Sequence, residues 1–221
     1  MKNILIYGAS GHAKMIIDII HKTKNHNIIG FIDSYKPINE IISGYKILGN
    51  LDQLPSLIQE LNIEGIVIAV GDNYDRQAAY HKIKKINPQL KFPSIIHPSA
   101  IIATDVIIEE GTVIMANAII NSSSKVGKLC ILNTASSLGH DSVMADFSSL
   151  ASGVTVAGNV QIGSGSAICL GASIIQNVVI GNNTVIGAAS LVLKSIGNLK
   201  QAFGSPINTI KDRNADSKYL G

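Results

Sequence analysis

The chain contains no tryptophan, only 5% aromatic residues and two cysteines, and just 15% of its 221 residues are charged, against about 25% in an ordinary soluble domain. So few aromatics mean that aliphatic side chains must build the core, and apolar types make up 46% of the sequence. Cys130 and Cys169 cannot by themselves supply a disulfide framework or a structural zinc site, and their aliphatic surroundings suit reduced thiols. No stretch reaches the roughly 18 uninterrupted apolar residues of a membrane-spanning helix, so no membrane insertion is expected. The net charge of +3 comes without clustered Lys/Arg or interleaved aromatics, which argues against a nucleic-acid partner. The opening MKNILIYGASGH reads as a strand entering a Gly-rich turn rather than as a secretory signal, and a cytoplasmic location is expected.

What the sequence has in abundance is a period. From Ile96 to Val192 an Ile, Leu, Val or Met recurs at every sixth position, seventeen times without a gap. Four residues after each sits a small or β-branched residue, for example Ala118, Ser124, Cys130 and Ser136. A period of six fits neither a helix at 3.6 nor one alternating strand, but it fits short parallel strands that turn a corner every six residues. Three hexads make one triangular coil, so this segment predicts nearly six coils with the large residues inside and Gly or Asn at the turns.

The first ninety residues read differently. A strand at Asn3 to Tyr7, a tight Gly8-Ala-Ser-Gly11-His12 turn, a helix from Ala13 to His21 and a strand from Asn27 to Ile32 ending at Asp33 come first. A helical pattern at Leu51 to Leu61, a strand from Gly65 to Val70 leading into Gly71-Asp72-Asn73, and a helix from Tyr74 to Lys85 follow. Alternating strands and helices predict a small parallel α/β sheet. The expected division is 1–90 for this α/β domain, 91–196 for the coil and 197–221 for a C-terminal tail, with a Pro-rich linker at Asn87 to Pro98.

Two places point to chemistry. The turn opening the first helix sets backbone N–H groups and a helix dipole where a phosphate could sit, and Asp33 is placed to accept from a ribose or sugar hydroxyl. The unit has room for one mononucleotide half only, which disfavours a dinucleotide. Within the repeat, His140 lies two residues after the inward Leu138 and so faces out of the coil, with Gly139 before it and Asp141 after it. An imidazole with open space and an adjacent carboxylate to fix its tautomer suits a general base. His97, beside Pro98, suits a packing role. Neither cysteine has an adjacent His, which argues against a covalent acyl-enzyme.

The strand followed by Gly-Ala-Ser-Gly-His, the Asp ending the second strand, the Asn133…His140-Asp141 segment and the Gly204-Ser205-Pro206 tail together resemble the NeuD/PglD-type sugar O/N-acyltransferases, and the resemblance covers nearly the whole chain. It implies an α/β Rossmann-like subdomain followed by an all-β left-handed parallel β-helix, assembled as a homotrimer with acetyl-CoA as co-substrate and no metal. His140 would be the base and Asp141 its partner. Ser10, Gly11, His12, Asp33, Ser34, Gly71 and Asn133 would bind a nucleotide-linked sugar, while Ser149, Gly158, Leu170, Ala188, Gly204, Ser205 and Pro206 would contact the acetyl-CoA side. Gly158 would offer its backbone N–H to the thioester carbonyl. Some relatives have Glu at the place of Asp141 and His at the place of Ser149. The implied activity is N-acetylation of a UDP-, GDP- or dTDP-linked 4-amino-sugar in bacterial surface glycan synthesis. O-acetylation of sialic acid or a related sugar, and a non-catalytic nucleotide-sugar scaffold, are the alternatives.

Overall fold

The computed structural model describes residues 1–219. Its first part is a five-stranded sheet built from β1 (Lys2–Tyr7), β2 (His26–Ile32), β3 (Ile41–Ile42), β4 (Tyr45–Gly49) and β5 (Gly65–Ile68), in the order β3-β4-β2-β1-β5. Helices α1 (Gly11–Thr23), α2 (Leu54–Glu60) and α3 (Asn73–Ile86) pack against it. The amphipathic pattern of α1 buries Ala13, Ile16, Ile17, Ile19 and Ile20, and the helix stops at Lys24 in the left-handed conformation. The α2 helix begins later than its apolar spacing predicts, because Pro55 occupies its first turn and cannot donate a helical hydrogen bond from further inside. The sheet is not wholly parallel. Strands β3 and β4 form an antiparallel hairpin around Ser43 and Gly44, both with positive φ, a two-residue turn that matches strand twist.

From Ile95 to Val192 the chain forms seventeen two-residue strands, β6 (Ile95–Ile96) through β22 (Leu191–Val192), one per hexad. Each of the first fourteen pairs in parallel with the strand eighteen residues on, as Ile119↔Ser137 and Ile120↔Leu138 do, so the coil is a triangular parallel β-helix with three sheet faces. The inward residues from Ile114 to Val192 are all buried, and those of the first coil, Ile96, Ile102 and Ile108, are partly covered. At a typical 1.5–3 kcal/mol for each buried aliphatic side chain, this single column is the main source of the repeat's stability. Beyond it, β23 (Lys200–Gly204) adds in parallel to the strand Val185–Ile186, and β24 (Ile207–Asp212) folds back on β23 as a hairpin.

The two parts are locked together by a buried cation. Arg76 of α3 is 1% exposed. Its guanidinium donates to the carbonyls of Leu129 and Phe147 on the coil, to the carbonyls of Val70 and Gly71, and to Asn73 Oδ1. Asn73 in turn donates to the carbonyls of Gly165 and Ser166. All five guanidinium N–H groups are therefore engaged, which is what allows a charge to be buried without a carboxylate beside it. The junction fixes the loop carrying Gly71 against one corner of the β-helix.

Candidate functional site

His140 stands at the corner that follows the strand Ser137–Leu138. Its Nδ1 lies 2.6 Å from Asp141 Oδ2, and both side chains are largely exposed. Asp141 reaches back because its own backbone is in the left-handed region, with φ of 56°, a conformation Asp tolerates. With Nδ1–H donated to the carboxylate, Nε2 is left as the proton acceptor of the ring. One coil further on, Gly158 lies directly beneath the ring: a Cβ added there would meet His140 Nε2 at 2.5 Å. Any side chain at 158 would displace the imidazole. Among the described residues no hydrogen bond takes the Gly158 N–H, whereas the neighbouring Asn159 N–H is held by the His140 carbonyl at 2.8 Å.

A cavity of about 400 Å³ opens elsewhere, on the face carrying Ile131, Ser149, Ala167 and Val185 and on its adjoining corner at Asn133, Cys169, Leu170 and Ala188. His12 and Gly71 of the α/β part, Gln201 and Phe203 of β23, and Tyr219 complete its wall. A second cavity, of about 460 Å³, lies over the carboxyl ends of the α/β strands and is lined by Gly8, Ser10, Asp33, Ser34, Gly71, Lys82 and Lys218. Such a position at strand ends is where open α/β sheets take ligands. Gly71 borders both cavities, so they are neighbours.

The expected residues therefore fall into three groups. Ser10, Asp33, Ser34 and Gly71 share the second cavity, while Asn133, Ser149, Leu170 and Ala188 share the first. His12, like Asn133, lines the first cavity and not the second. The start of α1 turns its ring toward the β-helix, where Nε2 is buried without a partner among the described residues and burial, with the Arg76 charge, lowers its pKa to about 4. Gly204, Ser205 and Pro206 line neither cavity. They form the tip of the β23–β24 hairpin, and it is Gln201 and Phe203 that reach the cavity. Gly11 lines neither cavity. His140, Asp141 and Gly158 lie at a different corner of the triangle from the first cavity, with one sheet face between them.

Asp33 is more occupied than its position at a strand end suggests. Its Oδ2 accepts from the Ala9 N–H and its Oδ1 from the Tyr35 and Lys36 N–H groups, so it also holds the turn over the second cavity in shape. Sequence reasoning missed Gln201, Phe203, Lys218 and Tyr219, which belong to no motif. Tyr219 is sequestered enough that burial raises its phenol pKa, and its hydroxyl accepts from the Asn73 N–H at 3.1 Å. Both cysteines have their thiol pKa raised by burial, Cys130 to about 11, which removes the thiolate that a nucleophile needs. Among the described residues no group of three or more His, Cys, Asp and Glu is placed to hold a metal ion.

An α/β unit with a cavity at its strand ends, docked on a triangular β-helix with an exposed His-Asp pair, defines a two-domain hexapeptide-repeat protein. Residues 3–83 match the family described as the PglD N-terminal domain. Over 96% of this chain and 97% of the other, the fold superposes with a TM-score of 0.89 and 28% identity on a His-to-Asn variant of perosamine N-acetyltransferase from Caulobacter crescentus in complex with CoA and GDP-perosamine. PerB from the same organism, also with CoA and GDP-perosamine, matches at 29% identity and a TM-score of 0.88 over 96% of this chain and 98% of that one. The acetyltransferase domain of PglB from Neisseria gonorrhoeae, in complex with acetyl coenzyme A, matches at 27% identity and 0.86 over 94% and 98%. Residues 3–83 thus carry the PglD N-terminal domain, and the whole chain shares the fold of these hexapeptide-repeat acetyltransferases, a small α/β unit followed by a left-handed parallel β-helix.

Proposed function

We propose that the protein is an acetyl-CoA-dependent N-acetyltransferase acting on the amino group of a nucleotide-linked 4-amino-sugar. The observation that carries this reading is the His140–Asp141 pair, with Nδ1 held at 2.6 Å and Nε2 beside Gly158. The relatives that bind CoA with GDP-perosamine, or acetyl coenzyme A, support it. So do the two neighbouring cavities, one at the strand ends of the α/β unit where a nucleotide fits and the other on the β-helix for the acyl group. A free sugar acid would not need the cavity over the α/β sheet, which favours the nucleotide-linked acceptor.

In the reaction, Nε2 of neutral His140 takes the proton from the acceptor amine as nitrogen adds to the thioester carbonyl. Asp141 stabilises the imidazolium that forms. The Gly158 N–H faces the tetrahedral oxyanion, a kind of contact worth about 3–4 kcal/mol in related sites. The tetrahedral adduct then collapses, the C–S bond breaks and CoA leaves as its thiolate, with the proton on His140 available to the products. No acyl-enzyme is required.

Because His140 and the first cavity occupy different corners of one coil, a working site needs His140 of one protomer against the cavity of the next, as in a cyclic homotrimer. The α/β part, 1–90, would then hold the nucleotide, the coil, 91–196, the acyl site, and the tail, 197–221, part of its wall. Reduced cysteines and a nucleotide-sugar substrate fit a cytoplasmic enzyme. UDP-, GDP- and dTDP-linked 4-amino-sugars, each mixed with acetyl-CoA and a thiol reagent, test the proposal. One of the three should release CoA thiol in step with loss of the primary amine. Thiol release with free sialic acid alone would overturn the choice of acceptor.

A further inference from the structure

The segment Arg213 to Tyr219 crosses the boundary between the two cavities. Lys218 lines the cavity over the α/β sheet and Tyr219 lines the cavity on the β-helix. At its base the segment is well anchored: Arg213 donates to the Asn183 carbonyl at 2.8 Å and to the Ser217 carbonyl, and its own N–H is bound by the Leu199 carbonyl at 3.0 Å. Its tip is held differently. Lys218 Nζ pairs with Asp75 Oδ2 at 2.5 Å and lies 3.9 Å from Asp72 Oδ1, and the Tyr219 hydroxyl accepts from the Asn73 N–H. All three partners belong to the first turn of α3 or its cap. The Lys218–Asp75 pair is about half exposed on both sides, the setting in which an ion pair is readily exchanged for another anion.

The charges around the nucleotide cavity make that exchange specific. Its lining carries two cations, Lys82 and Lys218, and two carboxylates, Asp33 and Asp75. Asp33 is committed to three backbone N–H groups, and the Asp72 oxygen 3.9 Å from Lys218 caps the Asp75 N–H, so Asp75 is the carboxylate in closest competition with an incoming anion for Lys218. The ammonium carries three donors on a flexible stem, and Asp75 takes one of them.

We propose that residues 213–219 form a ligand-responsive strap in which Lys218 leaves Asp75 to bind the diphosphate of the nucleotide-sugar, drawing Tyr219 with it at the border between the two cavities. This inference rests on the nucleotide-sugar reading of the site. It makes Lys218 a substrate-binding residue and Asp75 the group that holds it in reserve.

The test is calorimetric titration of the full-length protein with UDP, GDP and dTDP, in wild type, Lys218→Met, Lys218→Arg, Asp75→Asn and the double variant Asp75→Asn with Lys218→Met. For the nucleoside diphosphate that binds wild type, Lys218→Met should raise Kd about tenfold, the scale of one lost charge-assisted hydrogen bond, while Lys218→Arg should largely retain affinity. Asp75→Asn should tighten binding in the wild-type background and leave it unchanged once Lys218 is Met. An equal gain in both backgrounds would mean that Asp75 acts only as a repulsive charge, and it would overturn the strap. An unchanged Kd in Lys218→Met would do the same. If none of the three diphosphates binds wild type, the nucleotide-sugar reading itself falls.

Discussion

His140 has the one feature an outward histidine on a β-helix needs in order to act as a base, a carboxylate 2.6 Å from Nδ1, and Gly158 leaves room for its ring. His140→Ala should lower kcat by about 10²–10⁴, the usual contribution of general-base catalysis, with unchanged circular dichroism. A steady-state assay of CoA release measures it. Gly158→Ala should also cost activity, because the new methyl would meet Nε2 at 2.5 Å. His12 gives a prediction about pH. Its folded-state pKa is depressed from 6.5 to about 4, so between those values the unfolded chain binds a proton that the folded chain refuses. Stability should fall as pH drops through that window, by up to about 3 kcal/mol. His26, also lowered by burial, acts in the same direction. Urea melts at pH 7 and pH 4.5 should show a smaller difference in His12→Gln than in wild type.

At the level of elements, the β-helix was the most legible part, because each of its coils repeats one local rule. Every hexad read from Ile96 to Val192 appears as a strand, since only a large apolar residue fits the interior and only a small or β-branched one fits beside the corner. The hairpin Ile41–Ile42 with Tyr45–Gly49 went unread, although Ser43-Gly44 is a recognisable turn dipeptide, because the strands around it are too short to show a period. Arg76 was equally silent. Its burial arises from carbonyls contributed by Val70, Gly71, Leu129 and Phe147, and no spacing within α3 announces a partner on another part of the chain. Arg76→Leu should therefore be costly, at least about 3 kcal/mol, because it strands those buried carbonyls. Leu150→Ala, inside the coil, should cost about 2–5 kcal/mol. Thermal or denaturant unfolding measures both.

At the scale of the whole molecule, the motif residues of one chain are divided between two corners of one coil and the cavity of the α/β unit. The sequence could name His140, Ser149 and Asp33 but not their separation, since residues nine apart on a hexad repeat lie on different edges of the triangle. It also could not reveal Gln201, Phe203, Lys218 and Tyr219, whose place in the walls depends on how the last hairpin and the segment after it fold back. That division is the strongest argument that the active unit is more than one chain. In such a unit His140 of one protomer would serve the cavity of another. The most direct measurement mixes two inactive variants, His140→Ala and Ala188→Trp, the latter filling the first cavity from an exposed corner position, by co-refolding or co-expression, and then assays acetyl transfer. Random assembly should restore about a quarter of the sites, those pairing an intact His140 with an intact neighbouring cavity. Mixed assemblies that form but show no recovered activity would place the base and the cavity of each site on the same chain and contradict the account.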